Sequence, residues 1–268
     1  MIAKRNLMLT CGISQISFSI LENFHLTDEY EALIDQLKET EYPVDITFLR
    51  DAPPLTAFLP KMLAEIRPYW SKRSELRSNS EIFGAELATL ITMEMDQNES
   101  WDPYQDQIVA FCSDTLEGVI AAILLEQILV NLWEVKNITL HTIPGLKANP
   151  QDPDDVMERF ARCIGDNILQ SSEEQKWHNV FIITSGFKST IPCMTMFAFL
   201  YGIKLVYLFE RSNCLQTLYF RRNLTNKNSK NLWRKLLNDL KKNGWAGQES
   251  SKYMQIALEG INHPEVIF

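Results

Sequence analysis

Three short apolar runs in this sequence end in small polar loops whose residue types suit the binding of a phosphate. The runs cover residues 6–11, 107–112 and 180–184, and a helix-prone stretch follows each loop. A phosphate binds well at such places, because a helix N-terminus presents unpaired N–H groups and the positive end of the helix dipole. The residues that we expect to line a site for an anionic ligand are Gly12, Ile13 and Ser14; Ser113, Asp114 and Thr115; and Ser185, Gly186, Phe187, Lys188 and Ser189.

Lys188 is the loop residue that local structure explains least well. A cation beside a helix N-terminus opposes the helix dipole at a cost of about 0.3–1 kcal/mol, and a bound phosphate would offset that cost. Ser14, Asp114 and Thr115 carry less weight, because residues of these types at a helix start often serve only as N-caps. From residue chemistry alone, the loops predict a phosphate-binding α/β domain and nothing narrower.

The alternation of apolar runs with amphipathic stretches predicts the fold that positions these loops. We predict strands at 6–11, 107–112, 137–142, 180–184 and 204–209, with 215–220 as one more, and helices at 29–39, 55–69, 82–95, 116–132, 154–170 and 191–201. This order is typical of an α/β, Rossmann-like, mostly parallel sheet with helices on both faces. Ligands of such sheets lie beyond the carboxyl ends of the strands, where the polar loops fall.

The composition of the chain changes after residue 222, and this change predicts a division of the chain into two parts. Residues 1–222 form the Rossmann-like domain, with a helical insertion at about 50–100, and residues 223–268 form a small helical C-terminal segment. That segment carries a cluster of basic residues, which are Lys227, Lys230, Arg234, Lys235, Lys241 and Lys242. A solvated amphipathic helix explains them, since charge runs usually face water, and a reduced DNA-binding element is the alternative.

The overall composition argues against several classes of protein. A net charge of −8 and a pI of about 5.1 disfavour a protein that coats duplex DNA. Five cysteines with no C-x-x-C pair disfavour disulfides and a zinc site, and they fit a reducing cytoplasm. No leader is evident, and the longest apolar run, 119–125, is too short for a membrane span. Neither G-x-G-x-x-G nor a P-loop is present, which disfavours a dinucleotide cofactor and a P-loop NTPase. The four histidines do not cluster in sequence, so we expect no metal.

Residues 185–210, SGFKSTIPCMTMFAFLYGIKLVYLFE, resemble the signature of CARF domains, the CRISPR-associated Rossmann-like sensors. Three further segments resemble the family in its own order: LMLTCGISQIS at 7–17, AFCSDTLEGVIAAILLE at 110–126 and HTIPGL at 141–146. One departure is Ser185, where the family usually has Gly or Thr-Gly. The resemblance spans residues 1–222 apart from the insertion at about 50–100.

The resemblance implies a homodimer that binds a cyclic oligoadenylate across its two-fold axis. The chain looks closest to the stand-alone ring nucleases, in which a Ser and a Lys that match Ser14 and Lys188 carry the activity. It implies metal-independent cleavage of cyclic tetra-adenylate to products with 2′,3′-cyclic phosphate ends, which switches off type III CRISPR signalling. The other loop residues would bind the ligand, and neither a membrane nor duplex DNA is an expected partner.

Two alternatives stay open at this point. One is a non-catalytic sensor of cyclic oligoadenylate that regulates transcription through the basic segment at 223–268. The other is an α/β enzyme outside CRISPR systems that acts on a phosphate compound. An attached ribonuclease of the HEPN type is disfavoured, because no His has an Arg at the required upstream spacing. A nuclease of the PD-D/ExK type is disfavoured too, because the E-x-K tripeptide at 174–176 is expected in a polar turn.

Overall fold

The computed structural model describes residues 4–40, 42–76, 80–146, 152–174, 178–184, 188–209 and 214–219. The strands in these ranges are β1 (Arg5–Thr10), β2 (Gln107–Ser113), β3 (Asn137–Ile143), β4 (His178–Ile182), β5 (Lys204–Leu208) and β6 (Leu215–Leu218). The helices are α1 (Phe18–Asn23), α2 (Thr27–Leu37), α3 (Ile46–Arg50), α4 (Pro53–Trp70), α5 (Arg73–Leu76), α6 (Ser80–Met95), α7 (Leu116–Leu132), α8 (Pro153–Glu174) and α9 (Thr190–Tyr201). A short 3-10 helix, Ile13–Ile16, follows β1.

The described strands form one sheet in the order β3-β2-β1-β4-β5-β6. Every pair is parallel except β5 with β6, which is antiparallel. The chain moves outward from β1 through β2 to β3, then crosses to β4 on the other side of β1 and continues outward. This is the doubly wound order of a Rossmann-like fold, so the predicted fold class is confirmed.

Apolar side chains cover both faces of the sheet, as buried parallel strands require. Leu7 and Leu9 of β1 face a core built mainly with α1–α4, α6 and α7. Met8, between them, faces the opposite core with α8 and α9. The alternation follows from the two-residue period of a strand, and it gives a three-layer arrangement with the sheet in the middle.

The helices of the predicted insertion belong to the main core. Leu55 of α4 and Leu87 of α6 are buried in the same cluster as α7. The indole N–H of Trp70 donates to the Leu132 carbonyl at 3.0 Å, and its ring meets that of Trp133 with 4.8 Å between centroids. Helices α4 and α6 therefore cover the sheet together with α7.

The antiparallel strand β6 carries the chain back toward the start of β5. Leu218 pairs with Leu205, and the next residue, Tyr219, lies against Lys204, whose Nζ is 5.1 Å from the ring centroid. Glu99 binds both residues, accepting from Lys204 Nζ at 2.5 Å and from the Tyr219 hydroxyl at 2.8 Å. These contacts fix the end of β6 at the edge of the sheet where the parallel strands begin.

The predicted elements agree closely with the observed ones where both are described. The helix predicted at 116–132 has those bounds, and the strand suggested at 215–220 is confirmed as Leu215–Leu218. The C-terminal helices predicted within 223–268 lie outside the described residues, so they stay predictions. Among the described helices, none combines the length and the apolar character that crossing a membrane requires.

We expect Cys214 to be the first thiol that reacts with a disulfide reagent such as DTNB in the native protein at pH 8. All five cysteines lie within the described ranges, and Cys214 is exposed while Cys11, Cys112 and Cys193 are buried. Burial raises the pKa of the Cys112 and Cys193 thiols to about 12, which suppresses the reactive thiolate. A Cys214→Ser variant should lose the fast phase, and a second thiol that reacts equally fast without denaturant would contradict the prediction.

Candidate ligand site

The loop after β1 turns directly into the 3-10 helix that carries Ser14. The Cys11 N–H donates to the Phe111 carbonyl at 2.7 Å, which holds the end of β1 against β2. Ile13 is 59% exposed at the tip of the loop. The backbone of Ser14 lies within Ile13–Ile16, whereas its side chain is outside the described part of the structure.

Gly12 has a partner that the sequence did not reveal. Its N–H donates to Oε1 of Glu86 at 2.8 Å, and Glu86 is 0% exposed in α6. The loop composition predicts that this amide helps to hold a phosphate, whereas in the structure it donates to a carboxyl group of the protein. A single acid inside the apolar stretch at 82–93 is the sequence signal that marks Glu86.

The loop after β4 leads into α9 through Lys188. The Thr184 hydroxyl oxygen accepts from the Leu208 N–H at 2.8 Å, which anchors the start of the loop to β5. Lys188 and Ser189 are exposed, and the Ser189 side chain makes no capping hydrogen bond to α9. The prediction that Lys188 stands at a helix N-terminus is confirmed, and Ser185, Gly186 and Phe187 lie outside the described residues.

The loops after β1 and β4 start side by side. These strands are parallel neighbours, and Leu9 pairs with Ile182 at their carboxyl ends. The strand order reverses between them, with β2 and β3 on one side and β5 on the other. Open α/β sheets bind ligands at this point, because the loops on its two sides diverge and leave a crevice. The fold thus brings the segments of Ser14 and Lys188 to the position where a ligand is expected.

The loop after β2 is tied into the fold by its own hydrogen bonds. The hydroxyls of Ser113 and Thr115 lie 2.8 Å apart, and Thr115 Oγ1 caps α7 by accepting from the Gly118 N–H at 3.2 Å. Buried Asp114 accepts from the Gly145 N–H at 3.0 Å and from the Tyr42 hydroxyl at 3.2 Å. These bonds explain all three residue types without a ligand, so the predicted ligand contacts of this loop gain no support.

An open cleft of about 440 Å³ lies beyond the ends of β2 and β3. Its lining comprises Tyr42, Pro43, Asp114, Pro144, Gly145, Asp152, Asp155, Val156 and Arg159. Arg159 forms a salt bridge with Asp155 and donates to the Pro144 carbonyl at 2.9 Å. The cleft is therefore lined by three carboxyl groups, of Asp114, Asp152 and Asp155, and by one guanidinium that already has protein partners. This charge balance disfavours a phosphate and leaves the loops after β1 and β4 as the better anion site. Within the described ranges, no group of three or more His, Cys, Asp or Glu is placed to hold a metal ion.

We expect Asp114→Ala to lower the free energy of unfolding by about 1–3 kcal/mol, because it leaves the Gly145 N–H without its buried partner. Chemical denaturation monitored by tryptophan fluorescence would measure the change. Asp45→Ala is the matched control, since Asp45 also accepts backbone N–H bonds but is exposed at the start of α3. An Asp114→Ala variant as stable as the wild type would contradict the structural role.

The fold and the site together define an α/β protein with a Rossmann-like sheet and a candidate anion site at the reversal of strand order. Residues 81–218 match the family model described as CRISPR-associated protein (Cas_APE2256). The match covers more than half of the chain, and the chain belongs to this CRISPR-associated family. It includes the loops after β2, β3 and β4, and therefore Lys188, whereas Ser14 precedes it. A search of curated proteins finds no match.

Proposed function

We propose that this protein is a ring nuclease that binds cyclic oligoadenylate, and cyclic tetra-adenylate in particular, and cleaves it to linear products. The observation that carries the proposal is the pairing of β1 with β4, which sets the segments of Ser14 and Lys188 beside the strand-order reversal. Membership of a CRISPR-associated family supports a messenger of CRISPR signalling as the ligand. The resemblance of the four loops to CARF domains supports a cyclic oligoadenylate as that messenger.

The proposed reaction is an internal transesterification of the ring. A ribose 2′-oxygen attacks its own 3′-phosphorus, the bond from phosphorus to the 5′-oxygen breaks, and a 2′,3′-cyclic phosphate forms. The 2′-hydroxyl loses its proton to solvent, and the departing 5′-oxygen gains one. Lys188 would stabilise the charge that accumulates on the phosphoryl oxygens, and Ser14 would orient the 2′-hydroxyl or the phosphate. Both roles depend on positioning and electrostatics and need no metal.

A homodimer follows from the symmetry of the ligand. One protomer supplies one Ser14 and one Lys188, whereas a ring of four adenylates cut into two equal halves needs two equivalent sites. A two-fold axis that passes beside the loops after β1 and β4 would supply both sets. The exposed Ile13 at this edge is an apolar side chain that such an interface would cover.

Incubation of the purified protein with labelled cyclic tetra- and hexa-adenylate, in the presence of EDTA, tests the proposal. We expect conversion of the tetra-adenylate to diadenylate with a 2′,3′-cyclic phosphate end. Titration calorimetry with each ring measures binding separately from cleavage. Tight binding without products would favour the non-catalytic sensor instead, and failure to bind either ring would overturn both functions. Sedimentation of the protein with and without the ring tests the dimer.

A further inference from the structure

Glu86 is a fully buried carboxylate that contacts the backbone of the loop after β1. It is 0% exposed, and its Oε1 accepts the Gly12 N–H at 2.8 Å. Gly12 and Glu86 are 74 positions apart in the chain, so the bond joins α6 to the end of the central strand. Burying an ionisable group is costly unless hydrogen bonds compensate it, and the fold places one at this position.

The local structure of α6 delivers Glu86 to Gly12. Gly84 interrupts the helix with φ 73° and ψ 163°, a backbone conformation that favours glycine. Glu86 therefore lies in the first turn of the helical part that follows, where the helix dipole favours a negative charge. The neighbouring side chains of Phe83 and Leu87 are buried in the core, which fixes this turn in place. Helix α6 also packs against the 3-10 helix Ile13–Ile16.

We propose that Glu86 is a positioning residue for the ring cleavage, an inference that rests on the proposed function. By accepting the Gly12 N–H it fixes the peptide two residues before Ser14, and it thereby sets the direction in which the 3-10 helix leaves β1. Glu86 lies beneath the loop and acts through Gly12 without touching the ring. Its effect is on rate, because a displacement of about 1 Å in a reacting group can cost about 10²-fold.

Three substitutions separate the acceptor from the charge. Glu86→Gln keeps an oxygen acceptor at the same distance and removes the charge, Glu86→Ala removes both, and Glu86→Asp keeps the charge but withdraws the acceptor by one methylene. We expect Ala and Asp to lower the single-turnover cleavage rate by about 10²-fold while ring affinity stays close to the wild type. Gln should restore most of the rate. The Gly12 amide should exchange with deuterium faster in Ala and Asp than in the wild type or Gln.

Glu94→Gln is the matched control on the same helix. Glu94 accepts from the Trp133 indole at 2.9 Å and from Arg73 at 3.1 Å, within the aromatic cluster of the core. Its substitution should lower the melting temperature and leave the cleavage rate and the Gly12 exchange unchanged. This control separates a loss of general stability from a loss of loop position.

The outcomes distinguish this inference from the function on which it rests. A wild type that cleaves the ring, with an alanine variant that is equally fast, overturns the role of Glu86 alone. A glutamine variant as slow as the alanine variant overturns it too, because the charge rather than the acceptor would then matter. If Glu86→Ala does not fold, the cleavage rates of Glu86→Asp and Glu86→Gln are compared instead. A Gln variant as slow as the Asp variant would then overturn the role of Glu86. A wild type that neither binds nor cleaves either ring overturns the proposed function itself.

Discussion

Replacing Lys188 with alanine is expected to slow cleavage of cyclic tetra-adenylate by about 10²–10³-fold, which is the usual loss when one preorganised contact to developing charge is removed. Lys188 is exposed immediately before the N-cap of α9, beside the reversal of strand order. In the proposed mechanism, negative charge concentrates on the phosphoryl oxygens as the 2′-oxygen attacks, so the ammonium would interact more strongly with the transition state than with the bound ring. The rate should therefore fall much further than the affinity. Single-turnover kinetics and calorimetry measure the two quantities.

Lys136→Ala is the control for the loss of one exposed positive charge. Lys136 is exposed just before β3, at the opposite edge of the sheet from the candidate site. Its substitution should leave both rate and affinity close to those of the wild type. Equal losses in the two variants would show that net charge, and not the position of Lys188, controls the reaction. A Lys188→Ala variant that cleaves at the wild-type rate would remove Lys188 from the mechanism.

Gly118→Ala is expected to destabilise the protein by about 1–3 kcal/mol, although alanine is usually the better helix former. A Cβ at Gly118 would lie 1.8 Å from Ser113 Oγ and 3.0 Å from Thr115 Oγ1. Ser113 is buried and its hydroxyl pairs with that of Thr115, so relieving the overlap would break this pair and disturb the cap of α7. Denaturant unfolding would measure the loss.

Gly165→Ala is the matched control inside another helix. A Cβ at Gly165 in α8 would meet Phe197 at 3.8 Å, which is an ordinary contact. The substitution should therefore raise the stability, by up to about 1 kcal/mol. Removing the Ser113 hydroxyl should reduce the cost of Gly118→Ala, so the two changes should be non-additive in the double variant. If Gly118→Ala did not lower the stability relative to Gly165→Ala, the close approach of α7 to Ser113 at the end of β2 would be contradicted.

The elements of this fold are predictable from sequence because their boundaries carry local signals. The helix Leu116–Leu132 begins after Thr115, whose hydroxyl supplies the cap. The helix Thr190–Tyr201 ends at Gly202, which adopts the left-handed conformation that favours glycine. The inner strands β1, β2 and β4 contain continuous apolar runs, because both faces of a parallel sheet are buried there. Each signal lies within a few residues of the boundary that it marks.

The contacts that decide the site are less predictable, because they join distant parts of the chain. Nothing near Gly12 in the sequence indicates that Glu86 will accept its amide proton. The residues after β2 have the composition of a ligand-binding loop, but Asp114 finds its partners in Gly145 and Tyr42, at the ends of other segments. Local sequence pattern therefore identifies polar loops, and tertiary packing decides which of their groups remain open to a ligand.

The return of β6 has a consequence for any allosteric role of the basic C-terminal segment. Leu218 pairs with Leu205 and Tyr219 contacts Lys204, so the chain reaches residue 219 at the pole of the sheet where the parallel strands begin. The loops of Ser14 and Lys188 are at the other pole, about 16 Å away along the five residues of β5. Tyr219, the last described residue before that segment, is therefore remote from the candidate ligand site. Ligand control of DNA binding through that segment would need either direct contact across this distance or a relay through the strands.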